Sequence, residues 1–75
     1  MKREAVEVQR VLARNFRCAR LGLGLSQEML ARRSGLPQPT ICQVETASIN
    51  VTLRTLAKLS EAVGWSVRKL LTKED

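Results

Sequence analysis

Between Leu25 and Glu45 the chain reads Leu-Ser-Gln-Glu-Met-Leu-Ala-Arg-Arg-Ser-Gly-Leu-Pro-Gln-Pro-Thr-Ile-Cys-Gln-Val-Glu, and no other stretch constrains the fold as much. It reads as two short helices and a tight turn. Ser26 precedes the first apolar segment and can cap it by accepting a hydrogen bond from a free first-turn amide. Glu28 falls in that turn, where the helix dipole favours a negative charge. Met29, Leu30 and Ala31 are expected to face inward. Ser34-Gly35 breaks the helix, because Gly takes positive φ cheaply, and Leu36 fixes the turn against the core. In the second segment Ile41 and Val44 face inward at i, i+3 spacing, which leaves Gln38, Thr40, Cys42 and Gln43 on the other side. A residue before proline is pushed away from the α region. The regular helix is therefore expected to begin at Pro39, within one residue, with Gln38 as its cap.

The rest of the chain supplies three more helices, so the fold class is all-α. From Met1 to about Leu21, Val8, Val11, Leu12, Phe16 and Ala19 make one inward stripe. Arg10, Arg14 and Arg17 run down a neighbouring stripe, read as a solvated face or, near its C-terminal end, a phosphate-facing ridge. Gly22 and Gly24 close this helix. Residues 46–52 form a loop, and Thr52 caps a helix from Leu53 to Val63 whose inward face is Leu53, Leu56, Leu59 and Val63. Gly64 ends it. Ser66 caps a last short helix with Val67, Leu70 and Leu71 inward, and Thr72 to Asp75 are expected to be disordered.

A chain of 75 residues reads as one small domain spanning 1–75. Phe16 and Trp65 are its only aromatic residues, so aliphatic side chains must fill the core. The formal net charge of +6 favours an anionic partner, nucleic acid ahead of a membrane surface, with ordinary solubility charge as the alternative. Residues 1–33 hold eight Lys or Arg, whereas residues 34–53 hold none, so charge must attract such a partner from the flanks of the second short helix. Cys18 and Cys42 form no C-x-x-C pair and the chain has no histidine, which fits neither a zinc site nor a redox motif. A disulfide between them is undecidable from sequence. With no signal peptide and no long apolar run the chain reads as cytoplasmic, with reduced thiols and no membrane contact. Cys18 is then a small surface or core residue. No cofactor or metal is expected. Enzyme chemistry has no support either, because paired carboxylates, a Gly-rich phosphate loop and a base for the cysteines are all missing.

Ser26-Gln27-Glu28-x-Leu30-Ala31, then Ser34-Gly35-Leu36, then Thr40-Ile41-x-Gln43-x-Glu45 resembles the helix-turn-helix of the Cro/C1-type (XRE) repressor family. The likeness continues through Leu53-x-Thr55-Leu56-x-Lys58-Leu59-x-x-Ala62-Val63-Gly64 and Leu70-Leu71, so it covers roughly residues 12 to 71. It implies a compact five-helix, lambda-repressor-like DNA-binding domain with helices 2 and 3 as the motif, over residues 26–45. Helix 3 would enter the major groove by its N-terminal end while helix 2 lies across the backbone. The resemblance makes Gln38 and Gln43 the base readers, with Thr40 and Cys42 as lesser candidates, since a Gln amide can pair bidentately with adenine. Pro39 offers only an apolar face where relatives commonly read bases. Phosphate contacts would come from Arg17, Arg20, Ser26, Gln27, Asn50, Thr52 and Arg54, Gln27 also through a first-turn backbone amide.

Arg20 and Glu45 match positions that form an ion pair in the family, the alternative being two independent surface charges. The loop departs from the family pattern. Ala47, Ser48, Ile49 and Val51 stand where Gly, basic residues and Pro are frequent, and Ile49 is exposed in that pattern. Arg68 and Lys69 fall in a helix's first turn, where cations are unfavourable. They are read as tolerated noise or as facing a partner carboxylate.

Specific binding by so small a reader implies a homodimer on palindromic double-stranded DNA, with half-sites about 10 bp apart. The candidate dimer surface lies within 49–71 and includes Ile49, Trp65 and Val67, although Trp65 equally suits a place in the core. A bacterial or phage transcriptional regulator of repressor or controller type is the leading reading. An antitoxin or adaptor that mainly binds a partner protein is the second.

Overall fold

Phe16, Leu30, Ile41, Leu59 and Leu70 are fully buried, and each belongs to a different helix. The computed structural model describes residues 2–73. Among them α1 spans Lys2–Gly22, α2 Gln27–Ser34, α3 Gln38–Glu45, α4 Leu53–Val63 and α5 Val67–Leu70. α1 packs on α3, α4 and α5, α2 on α3 and α4, and α4 on α5. The chain is all-α, as the apolar spacing predicts.

Local chemistry sets most helix ends. The hydroxyls of Ser26, Thr52 and Ser66 accept from the amides of Met29, Thr55 and Lys69 at 3.0–3.1 Å, each satisfying a first-turn donor that has no intrahelical partner. Gly35 and Gly64 end α2 and α4 in the left-handed conformation, at φ +75° and +73°. Ala47 takes the same conformation at φ +57° after α3, and an L residue with a Cβ pays for it.

The inward faces need four corrections. Val8 is 48% exposed, because residues 3–8 of α1 are exposed and its buried stripe begins only at Leu12, adding Ala13. Met29 is exposed, since Leu30 and Ala31 already fill the narrow buried arc of an eight-residue helix. Leu53 is 84% exposed; it stands at the first position of α4, and the face that meets the core is Leu56, Leu59, Ala62 and Val63. Ile49 is half-buried and packs against the core rather than standing exposed.

The C-terminal end also differs from expectation. Buried Asn15 donates its Nδ2 hydrogens to the carbonyls of Leu70 and Thr72, both at 2.9 Å, and of Lys69 at 3.3 Å. The hydroxyl of Thr72 donates to the Arg68 carbonyl. Thr72 is therefore tied into the fold. The expectation for Glu74 and Asp75 lies outside the described residues.

Candidate nucleic-acid interface

α3 is rotated by its two buried residues, Ile41 and Val44. That leaves Gln38, Pro39, Cys42 and Gln43 exposed and Thr40 half-buried. The helix starts at Gln38, within one residue of the expected Pro39, but its cap differs from the local expectation. Pro37, not Gln38, is the N-cap, at φ −62° and ψ 144°, and its carbonyl accepts from the amides of Thr40 and Ile41 at 3.0 and 3.3 Å. The ring of Pro37 already fixes φ near the value an extended cap requires. Pro39, one position further in, still has no hydrogen bond to lose. Gln38 thus becomes the first helical residue, and its side chain stands at the exposed tip of α3.

Glu45 ends α3 and joins three helices. Arg20 of α1 grips it with two parallel bonds, Nε to Oε2 at 2.6 Å and Nη2 to Oε1 at 2.9 Å. Gln27 of α2 donates to the same Oε1 at 3.2 Å. The third nitrogen of Arg20, Nη1, donates to the Leu25 carbonyl at 2.8 Å, which holds the segment entering α2. The side chains of Arg20 and Glu45 are 10% and 4% exposed. The hydrogen bond to Glu45 raises the Arg20 pKa above its ordinary value against the opposing effect of burial, so the guanidinium stays charged. This inward engagement commits three of the five Arg20 N–H donors within the chain. It also turns the Gln27 side chain toward Glu45, leaving Gln27's first-turn backbone amide as the group suited to an anion.

With Glu45 consumed, the outward face of α3 carries no charge. Basic residues lie outside it: Arg17 shares a shallow groove with Arg10, Arg14, Thr46 and Ala47 just past the end of α3, and Arg54 is exposed at the start of α4. The hydroxyls of Ser26 and Thr52 are engaged as caps, and Thr52 also donates to the Thr55 hydroxyl at 3.0 Å. Asn50 is exposed, and its Oδ1 accepts from Gln9 Nε2.

The residues assigned to a dimer surface fall into two groups. Trp65 and Val67 are half-buried at the α4–α5 junction, where the Lys69 ammonium lies 4.0 Å from the centroid of the indole ring. Lys69 thus has a partner within its own chain, which accounts for a cation in the first turn of α5. Ile49 lies instead along a groove with Val8, Val51, Leu56 and Leu71.

Cys18 and Cys42 are both free and exposed, which places Cys18 on the surface. Among the described residues no group of three or more His, Cys, Asp or Glu is arranged to hold a metal, and no helix is long and apolar enough to cross a membrane. Sequence reasoning missed Gln9 and Asn15. Only the polarity of Asn15, at helical spacing between Val11 and Ala19 on the inward stripe of α1, hinted at either.

A family profile described as helix-turn-helix matches residues 17–70. Control protein C.SmaI from Serratia marcescens is 45% identical over 69 residues, covering 92% of this chain and 82% of that protein. The crystal structure of the hypothetical transcription factor NHTF from Neisseria has a TM-score of 0.83 at 37% identity, covering 87% of this chain and 75% of that one. The restriction-modification controller protein C.AhdI from Aeromonas hydrophila has a TM-score of 0.78 at 35% identity, over 83% of this chain and 94% of that one.

Proposed function

Since this chain belongs to the Cro/C1-type helix-turn-helix family of DNA-binding transcriptional regulators, which are not enzymes, we propose that it is a controller-type regulator acting as a homodimer on a palindromic operator. The observation that carries the reading is the exposed, uncharged face of α3, with Gln38 and Gln43 outward and Glu45 turned inward onto Arg20. A neutral amide has no strong preference for phosphate over bases, so such a face suits base-edge recognition. The controller assignment is supported by the likeness to C.SmaI and C.AhdI, whose names describe that role.

In this reading α3 enters the major groove by its N-terminal end. Gln38 and Gln43 read bases, with Thr40 and Cys42 in lesser contacts. Arg17, Arg54, Asn50, Thr52, Ser26 and the backbone amide of Gln27 hold phosphates. Positive charge at the flanks brings the duplex in and leaves discrimination to the neutral helix. The dimer surface is assigned to Trp65 and Val67, with Ile49 as a separate candidate.

Selection of DNA from a random pool, retested at two salt concentrations, tests this. Recovery of an inverted repeat with half-sites about one helical turn apart is the expected result. Binding without sequence preference, together with a steep salt slope, would overturn it and favour a chain whose main partner is a protein.

A further inference from the structure

Gln9 lies on α1, ahead of residues 17–70 that match the family, yet its side chain reaches the loop after α3. Its Nε2 donates to the Ile49 carbonyl at 3.1 Å and to Asn50 Oδ1. We infer that Gln9 is a positioning residue for DNA binding, fixing the Asn50 amide so that its NH2 group, not its oxygen, faces a phosphate of the duplex. The inference rests on the reading of Asn50 as a phosphate contact.

The chemistry allows only one assignment of these atoms. A backbone carbonyl accepts and cannot donate, so the Gln9 atom facing Ile49 is the amide nitrogen. The second hydrogen on that nitrogen needs an acceptor, so Asn50 presents Oδ1 inward. Asn50 Nδ2, with two donors, is then directed away from Gln9 on an exposed side chain. A phosphate only accepts, so this is the end of the amide it can bind. A free Asn side chain takes either of two nearly equivalent orientations about its terminal torsion, and one of them sets oxygen against oxygen. Gln9 removes that orientation before DNA arrives, which lowers the ordering cost of binding. Fixing Ile49 by its carbonyl holds the backbone from which Asn50 projects.

The test is a double-mutant cycle on a duplex recovered from the random pool with the wild-type chain, using Gln9→Met and Gln9→Glu, each alone and combined with Asn50→Ala. Asn50→Ala is expected to weaken binding about tenfold. Gln9→Met removes the donor. Gln9→Glu supplies an acceptor that draws Asn50 Nδ2 inward and turns Oδ1 outward, so it is expected to cost more than Gln9→Met. The repulsion of DNA by the new carboxylate is present in both backgrounds and cancels in the cycle. In the Asn50→Ala background Gln9→Met is expected to cost less than about twofold, and the excess cost of Gln9→Glu to fall to that charge repulsion alone. Circular dichroism gives the folded fraction to which each constant is referred. Unchanged binding in Asn50→Ala would remove the phosphate contact and the inference with it. A clear loss in Asn50→Ala, with Gln9 variants costing the same in both backgrounds, would keep the contact and overturn the positioning role.

Discussion

Arg20 and Glu45 meet edge to edge, with guanidinium Nε and Nη2 on the two carboxylate oxygens at 2.6 and 2.9 Å. The remaining nitrogen is spent on the Leu25 carbonyl. The pair therefore ties the end of α3 to α1 and to the segment that enters α2. Breaking a buried pair from one side strands the other charge, and that penalty exceeds the net worth of the intact pair.

Arg20→Met is expected to destabilise the chain by about 3 kcal/mol, measured by urea unfolding, and to weaken DNA binding more than Arg10→Met does. Arg10 is exposed and lies outside the brace. The double change Arg20→Met with Glu45→Leu should recover much of the lost stability, because no unpaired carboxylate remains. Equal effects of Arg20→Met and Arg10→Met on DNA binding would show that the brace does not orient α3.

Gln43 is exposed on α3, where its carbonyl accepts from the Ser48 amide at 2.8 Å, a bond that does not involve its side chain. Gln43→Ala should leave the unfolding midpoint within about 0.5 kcal/mol of wild type and relax base preference at one position per half-site by about 1–3 kcal/mol. Repeating the selection with the variant reads this directly. An unchanged consensus would remove Gln43 from the set of base readers.

Asn15 supplies the donors for the carbonyls that close α5. α5 is four residues long, too short to hold itself. Asn15→Ala is expected to cost about 1–3 kcal/mol and to increase amide hydrogen exchange in residues 67–72. A stability loss without faster exchange there would mean that the cost comes from repacking of α1 instead.

Ala47 holds a left-handed backbone, φ +57°, where a Cβ costs about 1 kcal/mol. Ala47→Gly relieves that strain and also loosens the unfolded chain. The expected net result is a gain of about 0.5 kcal/mol or less, visible as a raised thermal midpoint with DNA affinity unchanged. A lowered midpoint would show that the methyl group makes a packing contact worth more than the strain.

Features governed by local chemistry were legible in the sequence. Ser26, Thr52 and Ser66 as caps, and Gly35 and Gly64 as left-handed ends, each depend on a few neighbouring residues. The face of α3 could also be read, because Ile41 and Val44 alone set its rotation. Val8, Met29 and Leu53 could not be placed, since periodicity gives the direction of a side chain without saying whether a neighbouring helix extends that far. The contacts of Asn15 and Gln9 cross 40 to 57 positions of chain, and an amide carries no long-range signal of its partner. The start of α3 set two local rules against each other. The restriction on Gln38 before Pro39 lost to the fixed cap geometry of Pro37.

The hub of Phe16, Leu30, Ile41, Leu59 and Leu70 takes one side chain from each helix and none from the outward face of α3. If α3 reads DNA as proposed, stability and recognition are written in separate sets of residues. Gln38, Thr40, Cys42 and Gln43 can then drift under selection for a new target while the hub stays constant. A lineage built this way can acquire new binding sequences by changing a few exposed positions, without passing through unstable intermediates.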